Sequence, residues 1–357
     1  MKRIFLSAAA ALIAWPALAT DYTQPIQDMI AGYIQPETTK FAAATAELPS
    51  SVKSVCAAPS TENAAEFKTV FSDVVKEFAR VHFLRIGPMV DEDRISRLAF
   101  QPDPRGIGQR QIRKLYSAKD ATALSADSLA EKSVAVQGLT ALQLIAFDKN
   151  GNVVLGAESE SRDFTCAYAA AISENVAAIA LAVRDAWASA DGYSQTLLAT
   201  GGAGARYQNE QEALEDMFQT LSTGLIVVRD QNIAPALGSS KDKARPNRIP
   251  FSRSGNGVVF LAAEMSGILD AVKSMNLEPI MPEEHVWLIG SMTFEFENAQ
   301  KTLNNLQPPL RQTFETGDAY SQLSLVVISL NSLQRLVGER IAGALGLAGG
   351  FNALDGD

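Results

Sequence analysis

Histidine and cysteine are scarce in this chain, with two of each in 357 residues. His82 and His285 stand far apart, and no two histidine or cysteine side chains are spaced i, i+3 or i, i+4, so a zinc site of the ordinary kind is nearly excluded. No Gly-x-Ser-x-Gly, phosphate-binding P-loop or His-Glu-x-x-His pattern occurs, and Ser133 and Ser254 have no evident histidine to activate them. Beyond the N-terminal segment there is no run of eighteen apolar residues free of charge, which speaks against a membrane-spanning helix in the mature chain. Positive charge is also in deficit. The 31 lysines and arginines face 40 aspartates and glutamates, a net charge of −9, which argues against general nucleic-acid binding.

The first residues of the chain carry an address. Lys2 and Arg3 precede a largely apolar stretch from Ile4 to Ile13, and Ala17-Leu18-Ala19 has the small-x-small pattern that signal peptidase reads. Residues 1–19 are therefore expected to be a secretory signal peptide cleaved after Ala19, with no cysteine at the cut to carry a lipid. The mature protein should be exported and soluble, periplasmic in a Gram-negative source. Its charge becomes −11, because the peptide removes two basic residues and no acidic one. Export places Cys56 and Cys166 where disulfides persist, and they are expected to pair. In the chain-entropy model, closing so long a loop stabilises by about 4–5 kcal/mol. Two buried free thiols are the other reading.

Periodicity is helical almost throughout. "NAAEFKTVFSDVVKEFARVHFL" sets Phe67, Val70, Phe71, Val74, Phe78 and Val81 at three- and four-residue spacing, then stops at Gly87-Pro88. "CAYAAAISENVAAIALAVRDAWASA", "QEALEDMFQTLSTGLIVVRDQNI", "GVVFLAAEMSGILDAVKSM" and "DAYSQLSLVVISLNSLQRLVGERIAGAL" continue the theme. Only "NGNVVLGA" looks extended, with Asn150-Gly151 supplying a turn. Glycine-rich "ATGGAGARY" is the best boundary. The expected fold is all-α, a helical bundle over 20–205 and a second over 206–357, with a cleft between them.

Charge is unevenly spread. Arg80 to Lys114 holds eight basic and four acidic residues, and Arg229 to Arg253 holds six and two. Both segments read as loop-rich, one in each half. Facing each other across the cleft, they would form a positive pocket for an anionic ligand; alternatively, their arginines satisfy nearby carboxylates and helix ends. Cleft candidates from these segments are Arg85, Asp103, Arg105, Arg245 and Arg253. Arg85 could equally cap a helix or pair with Asp103, and Asp103 and Arg105 sit in a turn stiffened by Pro102 and Pro104. His82 reads as a packing histidine. Glu283, Glu284 and His285 are adjacent on the chain and point apart. Asp355-Gly356-Asp357 is too short for a calcium loop.

"SVAVQGLTALQLIAF", residues 133–147, reads as an apolar helix on which Gln137, Thr140 and Gln143 fall three apart and share roughly one face. Together with "HFLRIGP", "FQPDPRGIGQRQIRKL", "LSTGLIVVRDQNIAPALG", "KARPNRIPFSRSG" and the terminal "GFNALDGD", this run resembles the imelysin family, the imelysin-like or insulin-cleaving-type peptidases, and its predicted-lipoprotein branch. The resemblance spans about residue 35 to the end. It implies two related helical bundles, a functional site between them, export, and an association with bacterial iron uptake. The family signature is Gly-x-His-x-x-Glu, a pair that can converge on a metal from one side of a helix. Here Gly138 remains, but Thr140 and Gln143 replace the histidine and glutamate. Neither is a base near neutral pH, and a metal held by them would lack charge and nitrogen donation. Three roles stay open for Gln137, Thr140 and Gln143: hydrogen bonds between helices, ligand contact, and metal ligation. Gly138 would let another segment approach the backbone.

The expectation is a non-catalytic exported protein binding an anionic small molecule or an iron-uptake component in the cleft. No cofactor is called for, iron or another divalent metal being the alternative. The rival functions are a metal-dependent peptidase and a helical scaffold.

Overall fold

The computed structural model describes residues 21–306 and 310–347; the expected signal peptide, "GFNALDGD" and Asp355-Gly356-Asp357 lie outside the described residues. Thr23–Met29 runs through a π turn at Ile30–Ile34 into α1 (Gln35–Ala46). Then come α2 (Leu48–Ala57), α3 (Thr61–His82), α4 (Ile107–Ala118), α5 (Leu139–Ala146) and α6 (Arg162–Ala188). Residues 199–209, which include the glycine-rich stretch, hold no helix. Beyond them stand α7 (Glu210–Ile226), α8 (Gly257–Ser274), α9 (Trp287–Asn304) and α10 (Ala319–Arg335). The fold is all-α. Among the described residues, extended pairing is confined to an antiparallel bridge between Phe147 and Val153; "NGNVVLGA" makes two turns and that bridge rather than a strand.

Helix α3 shows how the pattern becomes structure. The Ser60 hydroxyl accepts the Asn63 N–H at 3.1 Å and caps the first turn. Phe67, Phe71, Val74, Val75, Phe78, Ala79 and Val81 are all buried along one stripe, each phenylalanine worth about 1.5–3 kcal/mol. The helix ends at His82 with Phe83 as its C-cap, and the chain turns away at Gly87, which takes a positive φ of 51° ahead of Pro88. Around it α1, α2, α3 and α6 pack on one another, and α7, α8, α9 and α10 do the same beyond residue 209. Helix α3 also lies against α8, the most extensive helix pair in the molecule. Gly267 of α8 sits so near the Arg80 backbone and the Tyr33 hydroxyl that a Cβ would crowd both. One hydrophobic core runs through both halves.

Cys56 at the end of α2 and Cys166 in α6 form the disulfide, with Cα atoms 5.9 Å apart. Helix α6 is the single described helix long and apolar enough to cross a membrane, with a mean hydropathy of 1.6; 56% of that window is buried in the protein, as a core helix would be.

Candidate functional site

The 133–147 run is not one helix. The Ser133 hydroxyl caps a 3-10 turn over Val134–Val136, and Gly138 adopts an extended N-cap conformation (φ −117°, ψ −165°), so α5 begins only at Leu139. A Cβ on Gly138 would collide with the carbonyl oxygens of Arg97 and Leu98; the glycine exists to let that segment pass. Gln137 therefore lies outside the helix and shares no helical face with Thr140 and Gln143.

Each member of the expected stripe has its own surroundings. The buried Gln137 amide is fully engaged: its Oε1 accepts Arg97 Nε at 3.0 Å, and its Nε2 donates to the carbonyls of Ala130, at 3.1 Å, and Lys132. The Asn175 amide donates to its backbone carbonyl at 3.3 Å. Thr140 Oγ1 accepts the Phe100 N–H at 3.1 Å. These two residues pin the 97–100 segment against α5, the inter-segment hydrogen-bonding role. Gln143 differs. It is buried, and its Oε1 has no hydrogen-bond partner; neither amide atom of Gln101, next to the segment Thr140 holds, has one either.

The charged candidates scatter. Asp103 forms no ion pair with Arg85 or Arg105; its carboxylate caps α4 by accepting the N–H groups of Ile107 at 2.8 Å and Gly108 at 2.9 Å. Arg105 and Arg245 are exposed. Arg253 donates from Nε to the carbonyl of Phe147 at 2.7 Å, tying the segment before α8 to the end of α5. Both serines are structural: Ser254 Oγ donates to the Phe251 carbonyl, and Ser133 Oγ accepts Ala135 N–H.

A buried polar centre lies instead where α3 meets α8. His82 and Glu264 are 2% and 1% exposed. His82 Nδ1 stands 2.7 Å from Glu264 Oε1, and Asn232 Nδ2 donates to Glu264 Oε2 at 2.7 Å. Asn232 comes from a π turn over Val227–Ile233 that continues α7, a helix irregularity often found at functional sites. Phe78 and Phe260 pack on the His82 ring, with centroids at 5.2 and 5.8 Å. A carboxylate on Nδ1 fixes ring orientation and leaves Nε2 as the other polar atom. Arg85, three residues on, has a buried Nε without a partner. Burial pushes its guanidinium below the ordinary value, with the Glu264 carboxylate opposing.

His82 is thus both packed and polar. Glu264 and Asn232 escape a reading by motif, yet Glu264 carries a signal: it falls four residues from Phe260 and from Ile268 on the buried face of an apolar helix, where an unpaired carboxylate is costly. A metal does not fit this donor set. Thr140 Oγ1 is spent on a backbone N–H, and Gln143 is a neutral amide. His82 and Glu264 bind each other, and among the described residues no three histidine, cysteine or acidic side chains stand together as ligands.

Fold and centre together define an all-α protein whose two halves meet over a buried imidazole–carboxylate–amide chain. The family model for imelysin matches residues 30–337, and the chain belongs to the imelysin family. Two solved structures share the fold. An imelysin-like protein from Psychrobacter arcticum 273-4 has a TM-score of 0.75 at 18% identity, over 92% of this chain and 97% of that one. A protein described as a candidate iron-regulated protein A precursor, from Parabacteroides distasonis ATCC 8503, gives 0.66 at 12% identity, over 90% and 95%. A search of curated proteins gives no match.

Proposed function

We propose that this imelysin-family protein is an exported, periplasmic binding protein, non-catalytic, that takes an anionic ligand of iron acquisition between its two halves. The observation that carries this reading is Arg85. Its half-buried guanidinium makes no side-chain hydrogen bond or ion pair among the described residues, although it borders the His82–Glu264–Asn232 chain. A half-buried cation that pairs with no carboxylate, the Glu264 charge acting on it only at longer range, is costly, and an anionic ligand offsets that cost. Iron enters through the description of the Parabacteroides relative, in keeping with what the sequence resemblance implies. Against a peptidase, the positions of the signature histidine and glutamate hold Thr140 and Gln143, which supply neither a tight metal site nor a base.

Calorimetric titration of the mature protein with ferric citrate and with haem tests this. Saturable binding of one of them, weakened about tenfold or more by Arg85→Gln, is the expected result. No saturable binding by either, or an Arg85→Gln variant that binds as the parent does, overturns it. So does tightly held stoichiometric metal with chelator-sensitive proteolysis, which would restore the peptidase.

A further inference from the structure

A cavity away from the His82–Glu264 centre lies between α4, α5 and the start of α6. It encloses about 630 Å³, within the range of small-molecule sites. Its floor is apolar, from Ile112, Leu144, Ile145 and the Tyr116 ring, while Arg113, Arg162 and Arg253 surround it and no carboxylate lines it. In a chain of net charge −9, three arginines around one cavity are a marked segregation of charge. Arg113 belongs to the first basic segment and Arg253 to the second, so the two do converge, although Arg85, Arg105 and Arg245 do not line this cavity.

The arginines are oriented without being neutralised. Arg162 donates from Nε to the Gly156 carbonyl at 2.9 Å and from a terminal nitrogen to the Cys56 carbonyl at 2.6 Å. Arg253 is held by the Phe147 carbonyl, and the Asp148 carboxylate attracts it without pairing, being occupied by the N–H groups of Asn150 and Asn152 at 2.8 and 2.9 Å. Carbonyl oxygens fix a guanidinium but leave its charge free. The acids nearest Arg162, Glu158 at 3.7 Å and Asp163 at 3.6 Å, are 93% and 100% exposed, so they compete weakly for it. Ser161 and Arg162 also bring the positive end of the 27-residue α6 to the cavity. The wall is braced: a Cβ on Gly156 would collide with the Val55 carbonyl, and Cys166, beside the lining residue Thr165, is bonded to Cys56.

We infer that this cavity binds a small organic oxyanion with an apolar or aromatic body, its charge taken by the forks of Arg113 and Arg253 and its body laid on Ile112, Leu144 and Ile145. The site is independent of the one proposed at Arg85. Titration of the mature protein with 2-naphthoate, 2-naphthyl phosphate and uncharged 2-naphthalenemethanol tests it. At least one charged probe should bind saturably and at least tenfold tighter than the alcohol, with its affinity falling as salt rises. Arg113→Gln, at an exposed position that the fold does not need, should weaken that probe about tenfold, and Arg253→Gln likewise with unchanged circular dichroism. Preference for the carboxylate or the phosphate identifies the oxyanion, and either supports the site. Arg85→Gln should bind the probe as the parent does. The inference fails if neither charged probe saturates, if the alcohol binds equally well, if Arg113→Gln and Arg253→Gln are both silent, or if Arg85→Gln alone abolishes binding.

Discussion

A side chain on Gly138 would meet backbone, the carbonyl oxygens of Arg97 and Leu98, which cannot swing aside as the tip of a side chain could. Its φ of −117° is open to any residue, so the constraint is space alone. Gly138→Ala should therefore destabilise by about 1–3 kcal/mol and lower the urea midpoint. Gly202→Ala, with nothing within 4 Å of the added carbon, should shift it little. Equal midpoints for the two variants would show that the 97–98 segment is free to yield. The same crowding explains why three-residue spacing misled at Gln137: the spacing presumes a continuous helix, and the chain breaks it at Gly138 to seat a neighbouring segment. Thr140 then serves Phe100, and Gln143 is the member of the trio left with an unpaired buried oxygen.

Helices are joined through a few polar struts whose pH behaviour follows from their partners. Arg80 of α3 binds Glu37 of α1 at 2.5 Å and Asp270 of α8 at 2.9 Å, and its carbonyl accepts the Tyr33 hydroxyl at 2.6 Å. Burial alone would raise the Glu37 carboxyl, but hydrogen bonds from Arg80 and Lys40 outweigh it and hold it below its ordinary 4.5. A carboxylate lowered on folding stabilises above its unfolded value, and that contribution is lost as pH falls through the lower, folded value. Glu37→Gln should therefore make stability less dependent on pH below about 4.5, measured by urea unfolding at stepped pH; parallel profiles for variant and parent would refute the strut. The bond between Cys56 and Cys166 is a second tie, between α2 and α6, across 110 residues. Replacing both cysteines by serine should cost about 2–5 kcal/mol by the same assay, and an unchanged midpoint would show that packing alone holds the two helices. The ties differ in how well sequence displays them. Two cysteines admit one intramolecular pairing, and the stripe of Phe67, Phe71, Val74 and Phe78 declares α3 outright. Glu37, Asp270 and Asn232 gain meaning only from partners far along the chain, which no local pattern reveals; Glu264 alone shows itself, as a carboxylate on an apolar helix face.

Both halves contribute to one core, and their principal contact, α3 on α8, is close enough at Gly267 that backbone and side chain nearly touch. The His82–Glu264–Asn232 chain crosses the same contact, so separating the halves would expose apolar surface and strand buried polar groups together. That combination favours a single cooperative transition over stepwise loss of two bundles. The tryptophans make this measurable, because Trp187 is fully buried in α6 of the first half whereas Trp287 is 53% exposed at the start of α9 in the second. In a chain of residues 20–357, which leaves out Trp15, carrying Trp287→Phe, fluorescence reports Trp187 alone, while far-ultraviolet circular dichroism reports the helices of both halves. The two urea curves should coincide in midpoint and steepness. A dichroism change that begins well before, or continues well after, the loss of Trp187 fluorescence would mean that the halves unfold separately. The polar chain between them would then be a docking contact, made and broken without unfolding either side.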